Sequence, residues 1–127
     1  MPELPEVETM KLQLGKFLTR QKLLSVTVNN RKIFSGDEKK IISSKVIGSR
    51  RFGKVTVIDF DNKYSLLTHV KMTGQFIYQS LKKATDYKLS KKVVGGVPGP
   101  HTIAIFNFEK GVLYYNDFRR FSWMKIE

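Results

Sequence analysis

No cysteine occurs in the 127 residues. Its absence removes disulfides, thiolate zinc sites and a cysteine nucleophile from consideration. Histidine is nearly as scarce: there are 2, His69 and His101, too few for a histidine-rich metal site. Acidic residues are also few, 11 Asp and Glu against 23 Lys and Arg, which leaves a net charge of +12. Such an excess repels itself unless a polyanion is the partner. No long apolar run or basic amphipathic helix points to a membrane. Nucleic acid fits better, because neutralised phosphates release their counterions. The start, Met1-Pro2-Glu3-Leu4-Pro5-Glu6, has neither a basic n-region nor an apolar h-region. A secretory signal peptide is therefore not expected, and a cytoplasmic protein is, on the nucleoid if the source is bacterial.

What is present predicts one domain over 1–127, with an ordinary hydrophobic fraction of 41%. From Pro5 to about Arg20, the residues Leu4, Val7, Met10, Leu14, Phe17 and Leu18 recur at three- and four-residue steps, the stripe of an amphipathic helix. Pro5 suits its first turn, and Glu3, Glu6 and Glu8 suit the positive end of its dipole. Short runs rich in Val, Ile, Phe and Tyr follow: Leu23 to Asn29, Lys45 to Arg51, Val55 to Phe60, Ser65 to Val70, Gln75 to Gln79, Thr102 to Phe108 and Val112 to Asn116. Asp61-Asn62 and Glu109-Lys110-Gly111 read as hairpin connections. The expected fold is mainly β with flanking helices, a two-layer antiparallel β-sandwich with an N-terminal α-helix. Residues Ser35 to Ser43 suit a short second helix or a loop. Residues 80–100, with five lysines before Gly95-Gly96-Val97-Pro98-Gly99-Pro100, read as a long, mobile, basic loop.

Three constellations carry possible chemistry. Removal of Met1 would expose the secondary amine of Pro2. An α-amino group titrates near ~7.7–8, so part of it is uncharged at neutral pH. Such an amine can attack an aldehyde-level carbon and form an iminium, with Glu3 beside it to move protons. Arg50-Arg51-Phe52-Gly53-Lys54 places Lys54 at the head of a buried strand, suited to a phosphate or a leaving group; a solvated basic turn would read the same way. His69-Val70-Lys71-Met72-Thr73-Gly74 and Tyr115-Asn116-Asp117-Phe118-Arg119-Arg120-Phe121 set large apolar residues among polar ones at strand ends. Met72 and Phe121 could be core residues. They could also be wedges that unstack bases, with Arg119 on the polar side of the gap.

Taken together, these residues resemble the formamidopyrimidine-DNA glycosylase and endonuclease VIII family. The resemblance rests on residues 1–9, Arg51-Phe52-Gly53-Lys54, residues 69–74, His101 and residues 116–121, in order across nearly the whole chain. It implies a bifunctional DNA glycosylase and β,δ-lyase of base-excision repair. Pro2 would form a Schiff base at C1′ of the damaged nucleotide, and Glu3 would protonate the opening sugar. Lys54 would contact phosphate and act as the acid for β-elimination, with Glu6 assisting proton transfer. His69, His101 and Arg119 would lie along damaged double-stranded DNA, and Met72, Arg119 and Phe121 would fill the void left by the extruded base. This triad favours the formamidopyrimidine branch and oxidised purines such as 8-oxoguanine and formamidopyrimidines.

Lys71, Phe118 and Ser122 depart from a family pattern of Gly, Pro and Gly. The chain ends before the family's helix-two-turn-helix region and zinc finger, so no metal or small-molecule cofactor is expected in residues 1–127, and poor activity of the isolated domain is. Two other readings compete. One is a non-catalytic basic β domain that binds nucleic acid. The other is a tautomerase-like enzyme with a proline base, although there the proline begins a strand, whereas Pro2 precedes a helix.

Overall fold

The computed structural model describes residues 4–71, 73–80, 86–88 and 99–127. Helix α1 spans Leu4–Leu18. Its stripe behaves as its spacing requires: Val7, Leu14 and Leu18 are completely buried and Met10 nearly so. Phe17, partly buried, stacks on Tyr78 with ring centroids 5.2 Å apart. Each fully buried aliphatic side chain contributes roughly 1.5–3 kcal/mol, so this face, more than helix propensity, holds α1 in place. The helix ends two residues before the predicted Arg20, because Arg20 turns into the left-handed region (φ 77°). Its amide then donates to the Val46 carbonyl instead of continuing the helix.

Ten strands follow among the described residues: β1 (Leu23–Val28), β2 (Phe34–Ser35), β3 (Val46–Phe52), β4 (Val55–Phe60), β5 (Ser65–His69), β6 (Gly74–Ser80), β7 (Asp86–Lys88), β8 (Thr102–Phe108), β9 (Gly111–Asp117) and β10 (Trp123–Ile126). They form two five-stranded sheets, β1-β8-β9-β6-β7 and β2-β10-β5-β4-β3. Between them lies a core that includes Phe60, Leu66, Phe76, Phe106, Leu113 and Tyr115. All seven predicted strands are present, with ends that agree to within one residue. The sandwich is antiparallel with one exception, since β10 pairs with β2 in parallel. The 35–43 segment contains neither a loop alone nor an α-helix, but a single 3-10 turn at Glu38–Lys40, capped by the Asp37 side chain. Most of residues 81–98, read as a basic loop, lies outside the described residues. Within it, however, β7 adds a three-residue strand to the edge of β6. Among the described residues no helix is long and apolar enough to cross a membrane.

Helix α1 runs antiparallel to β3. The Arg20 amide meets Val46, the Lys11 carbonyl accepts from Ser49 Oγ at 2.6 Å, and Glu8 meets Arg51. The first turn of α1 therefore points toward the end of the sandwich where β3 turns into β4, at Gly53 and Lys54.

Candidate nucleic-acid interface

Sheet register collects the candidate residues at that end. Gly53 adopts φ 56°, a left-handed value that a glycine takes without a Cβ penalty, and so lets β3 reverse tightly into β4. Lys54 follows directly. Val55 pairs with His69 at the end of β5, and His69 pairs in turn with Trp123 at the start of β10. In the other sheet Gly74 pairs with Asp117, and Thr102 with Asn116. The Asp117 amide donates to the His101 carbonyl at 2.9 Å. The turn at 53–54, residues 70, 71 and 73, and the segments 99–101 and 118–122 thus form one rim.

Arg51 ties the helix to that rim. Its Nε donates to Glu8 at 2.8 Å, and another guanidinium nitrogen donates to the Gly53 carbonyl at 2.9 Å. Glu8 also accepts from Lys11 at 3.1 Å. The hydrogen bonds from Arg51 and then Lys11 hold the Glu8 carboxyl below its usual range. Glu6 lies exposed in the first turn of α1, on the same half of the helix. Pro2, Glu3 and Met72 lie outside the described residues.

Electrostatics at the rim are cationic. Burial is the largest influence on His69, followed by the charges of Lys71 and Lys54; together they hold its imidazole below the usual 6.5. His69 is therefore neutral at pH 7 and sits within reach of the fields of both lysines. Its ring lies 5.9 Å from that of Trp123, and its Nδ1 accepts from the Lys71 amide at 3.2 Å. That bond puts the imidazole proton on Nε2. The His101 ring meets the Phe118 ring edge-on at 6.1 Å, and its Nδ1 is buried with no hydrogen-bond partner among the described residues.

The 118–121 segment presents its side chains outward. Phe121 is 51% exposed and Phe118 42%. Large aromatics gain little from facing water, so two together beside cations mark a contact surface rather than a core. Arg119 is exposed, with its guanidinium 5.9 Å from the Phe118 ring. The structure therefore places Lys54, His69, His101, Arg119 and Phe121 at one end of the sandwich, and Phe121 is exposed there and not part of the core.

Sequence reasoning assigned no role to the residues that support this rim. Asp117 is completely buried. It accepts from Thr73 Oγ1, from Ser122 Oγ at 2.5 Å, from the Ser122 amide at 2.9 Å and from the Arg119 amide at 3.2 Å. Burial, the largest influence, pushes its carboxyl up. The bonds from Ser122, Thr73 and the Ser122 and Arg120 amides outweigh that and hold it below its usual range. The bond from the amide two residues on is an Asx turn, a signal that Asp117-Phe118-Arg119 does carry in sequence. Lys71 and Arg120 sit in the left-handed region, at φ 50° and 59°. Among the described residues, no group of three or more His, Asp or Glu could hold a metal ion.

The profile of the formamidopyrimidine-DNA glycosylase N-terminal domain matches residues 1–124. Formamidopyrimidine-DNA glycosylase from Rickettsia massiliae is 34% identical over 132 residues, covering 96% of this chain and 41% of that protein. The enzyme of that name from Solibacter usitatus is 30% identical, over 96% of this chain and 42% of its own length. The Lactococcus lactis Fpg solved in complex with abasic-site DNA superposes with a TM-score of 0.80 at 25% identity, over 99% of this chain and 44% of that one. The same enzyme with DNA containing N7-benzyl-Fapy-dG gives 0.79 at 25% identity, with the same coverage. The chain thus spans about two fifths of the length of these relatives.

Proposed function

The chain belongs to the formamidopyrimidine-DNA glycosylase family, and on that premise we propose that it is the N-terminal catalytic domain of a base-excision repair glycosylase and β,δ-lyase. Its substrate is damaged double-stranded DNA carrying oxidised purines such as 8-oxoguanine or formamidopyrimidines, and it works in the cytoplasm, on the nucleoid. The observation that carries this reading is the direction of α1. The helix start points to the rim that holds Lys54, His69, Arg119 and Phe121, which supports a terminal amine working there.

In this reading the Pro2 nitrogen, freed by loss of Met1, attacks C1′ of the extruded nucleotide. The glycosidic bond breaks, the base leaves with a proton, and Glu3 protonates the ring oxygen as the sugar opens. The resulting iminium draws electrons from C2′, so a C2′ proton is lost and the 3′ phosphate departs; a second elimination expels the 5′ phosphate. Lys54 holds phosphate and serves as the acid for the first elimination, with Glu6 assisting proton transfer. His69, His101 and Arg119 lie along the backbone. Met72, Arg119 and Phe121 fill the vacated position, which offsets part of the few kcal/mol that unstacking costs. Because the relatives carry more chain than this, residues 1–127 by themselves are expected to grip DNA weakly and to excise slowly.

The test is borohydride trapping on abasic-site DNA, with the adduct mapped by proteolysis and mass spectrometry. The expected product is a covalent adduct on a peptide that begins at Pro2. An adduct on a lysine-containing internal peptide would reject the amine assignment. No adduct at all would leave a basic β domain that binds nucleic acid without catalysis.

A further inference from the structure

Two loops of the rim come from different parts of the chain, yet their polar supports are shared. The chain between His69 and Gly74 joins β5 to β6, and residues 118–122 join β9 to β10. Thr73, from the first loop, donates to Asp117, which opens the second. Ser122, at the close of the second loop, is hydrogen-bonded to the Val70 carbonyl at 3.1 Å and to Asp117. The Val70 carbonyl also accepts the Gly74 amide at 3.0 Å. Tyr115 Oη donates to Ser122 Oγ from the core side. Asp117 and Tyr115 are completely buried and Ser122 is 5% exposed.

A hydroxyl has one proton to give and two lone pairs. Ser122 accepts from the tyrosine and shares its one proton between the Asp117 carboxylate, the shorter and charge-assisted contact, and the Val70 carbonyl. The network leaves no room for adjustment. A Cβ at position 74 would fall 2.0 Å from Tyr115 Oη and 2.8 Å from Ser122 Oγ. A buried polar cluster of this kind is rigid when complete and costly when broken.

We propose that Asp117 and Ser122 are positioning residues, forming a buried latch that fixes the 70–74 and 118–122 loops to each other so that Arg119 and Phe121 enter a duplex as one rigid wedge. The role rests on the reading of the rim as a DNA-unstacking surface. Phe121 is four residues beyond Asp117 and one before Ser122, so both ends of its loop are anchored in the same cluster. An aromatic on a loosely held loop would lose conformational entropy on insertion; one already fixed pays little.

The experiment compares the unsubstituted full chain with Ser122→Ala and Asp117→Asn by three readouts. Amide hydrogen exchange follows both loops, with the turn at 61–64 as a reference. Fluorescence of 2-aminopurine next to an abasic site in duplex DNA reports unstacking without requiring chemistry. Borohydride trapping on single-stranded abasic DNA reports the amine without requiring a wedge. The expected result is faster exchange in both loops from either substitution, at an unchanged reference turn. The duplex fluorescence response should fall about tenfold more than single-strand trapping does. Faster exchange confined to 118–122 would overturn the latch. Equal losses on duplex and single strand would overturn its role in unstacking. If the unsubstituted chain unstacks duplex DNA but traps nothing, the lyase reading fails while the latch stands. If it does neither at protein concentrations that saturate duplex binding, the positioning role fails with the surface it serves.

Discussion

The two ends of the sandwich are both rich in cations, and they differ in almost everything else. At the far end, Arg20, Lys22, Lys45, Lys63 and Lys110 surround the turns at 61–64 and 109–110. Carboxylates are interleaved with them: Asp61 accepts the Lys45 amide at 3.1 Å and Glu109 the Lys22 amide at 2.8 Å. At the rim, Asp117 is buried and fully engaged in hydrogen bonds, and Glu8 is held by Arg51 and Lys11. Cations there stand beside the exposed rings of Phe118 and Phe121 and beside a histidine held neutral. A positive surface alone attracts any polyanion. A positive surface with exposed aromatics on anchored loops can also change the shape of what it attracts.

The largest expected contrast is in DNA affinity. Arg119→Ala should weaken binding to lesion-containing duplex by about tenfold at moderate salt, on the order of 1.4 kcal/mol. The pair Lys45→Ala and Lys63→Ala should change it by less than about twofold, a screened long-range effect. Anisotropy titrations at several salt concentrations measure both, and equal losses at the two ends would erase the distinction.

A smaller effect concerns pH. In the free protein His69 loses its proton below 6.5, chiefly through burial and then through Lys71 and Lys54. A phosphate beside it would raise that pKa, so binding takes up a proton and strengthens as pH falls through the region of 6.5 and below. The slope should be at most about one proton, and His69→Gln should remove it. For folding the sign is opposite. A depressed histidine pKa favours the native state above the unfolded value and withdraws that support as pH falls through the folded one. A pH-independent affinity in the unsubstituted chain would separate His69 from the DNA.

The smallest effect is in stability. Lys71 holds a left-handed backbone that costs a non-glycine residue roughly 1–2 kcal/mol. Lys71→Gly should recover part of this, net of the greater freedom of an unfolded glycine, for a gain of about 0.5–1 kcal/mol. Chemical denaturation would detect it, and a loss would mean that the lysine side chain contributes more than its backbone costs.

Much of this arrangement is readable along the chain. The β-forming composition of the short runs Val55 to Phe60 and Ser65 to Val70 predicts β4 and β5, and the apolar stripe of α1 predicts which face is buried. Two kinds of feature are not readable. The first is pairing without local pattern: β2 is two residues long and exists because Met124 and Lys125 lie beside Phe34 and Ser35. The second is the polar latch, whose members Thr73 and Asp117 are 44 positions apart, and Val70 and Ser122 are 52 apart. Periodicity reports which way a residue faces, and a hydrogen bond across such distances depends on topology. Phe121 illustrates the same limit. Its apolar character is legible, while its exposure depends on a turn whose geometry is set by Asp117.

Arg51 has a consequence for motion. One guanidinium spans a carboxylate on the helix and a carbonyl in the turn that precedes Lys54. A displacement of either the helix or the turn therefore stretches a hydrogen bond of the same side chain. That shared side chain opposes changes in the gap between them. In the proposed mechanism the nucleophile precedes the helix and the acid follows the turn, so that gap is the quantity the chemistry would sample.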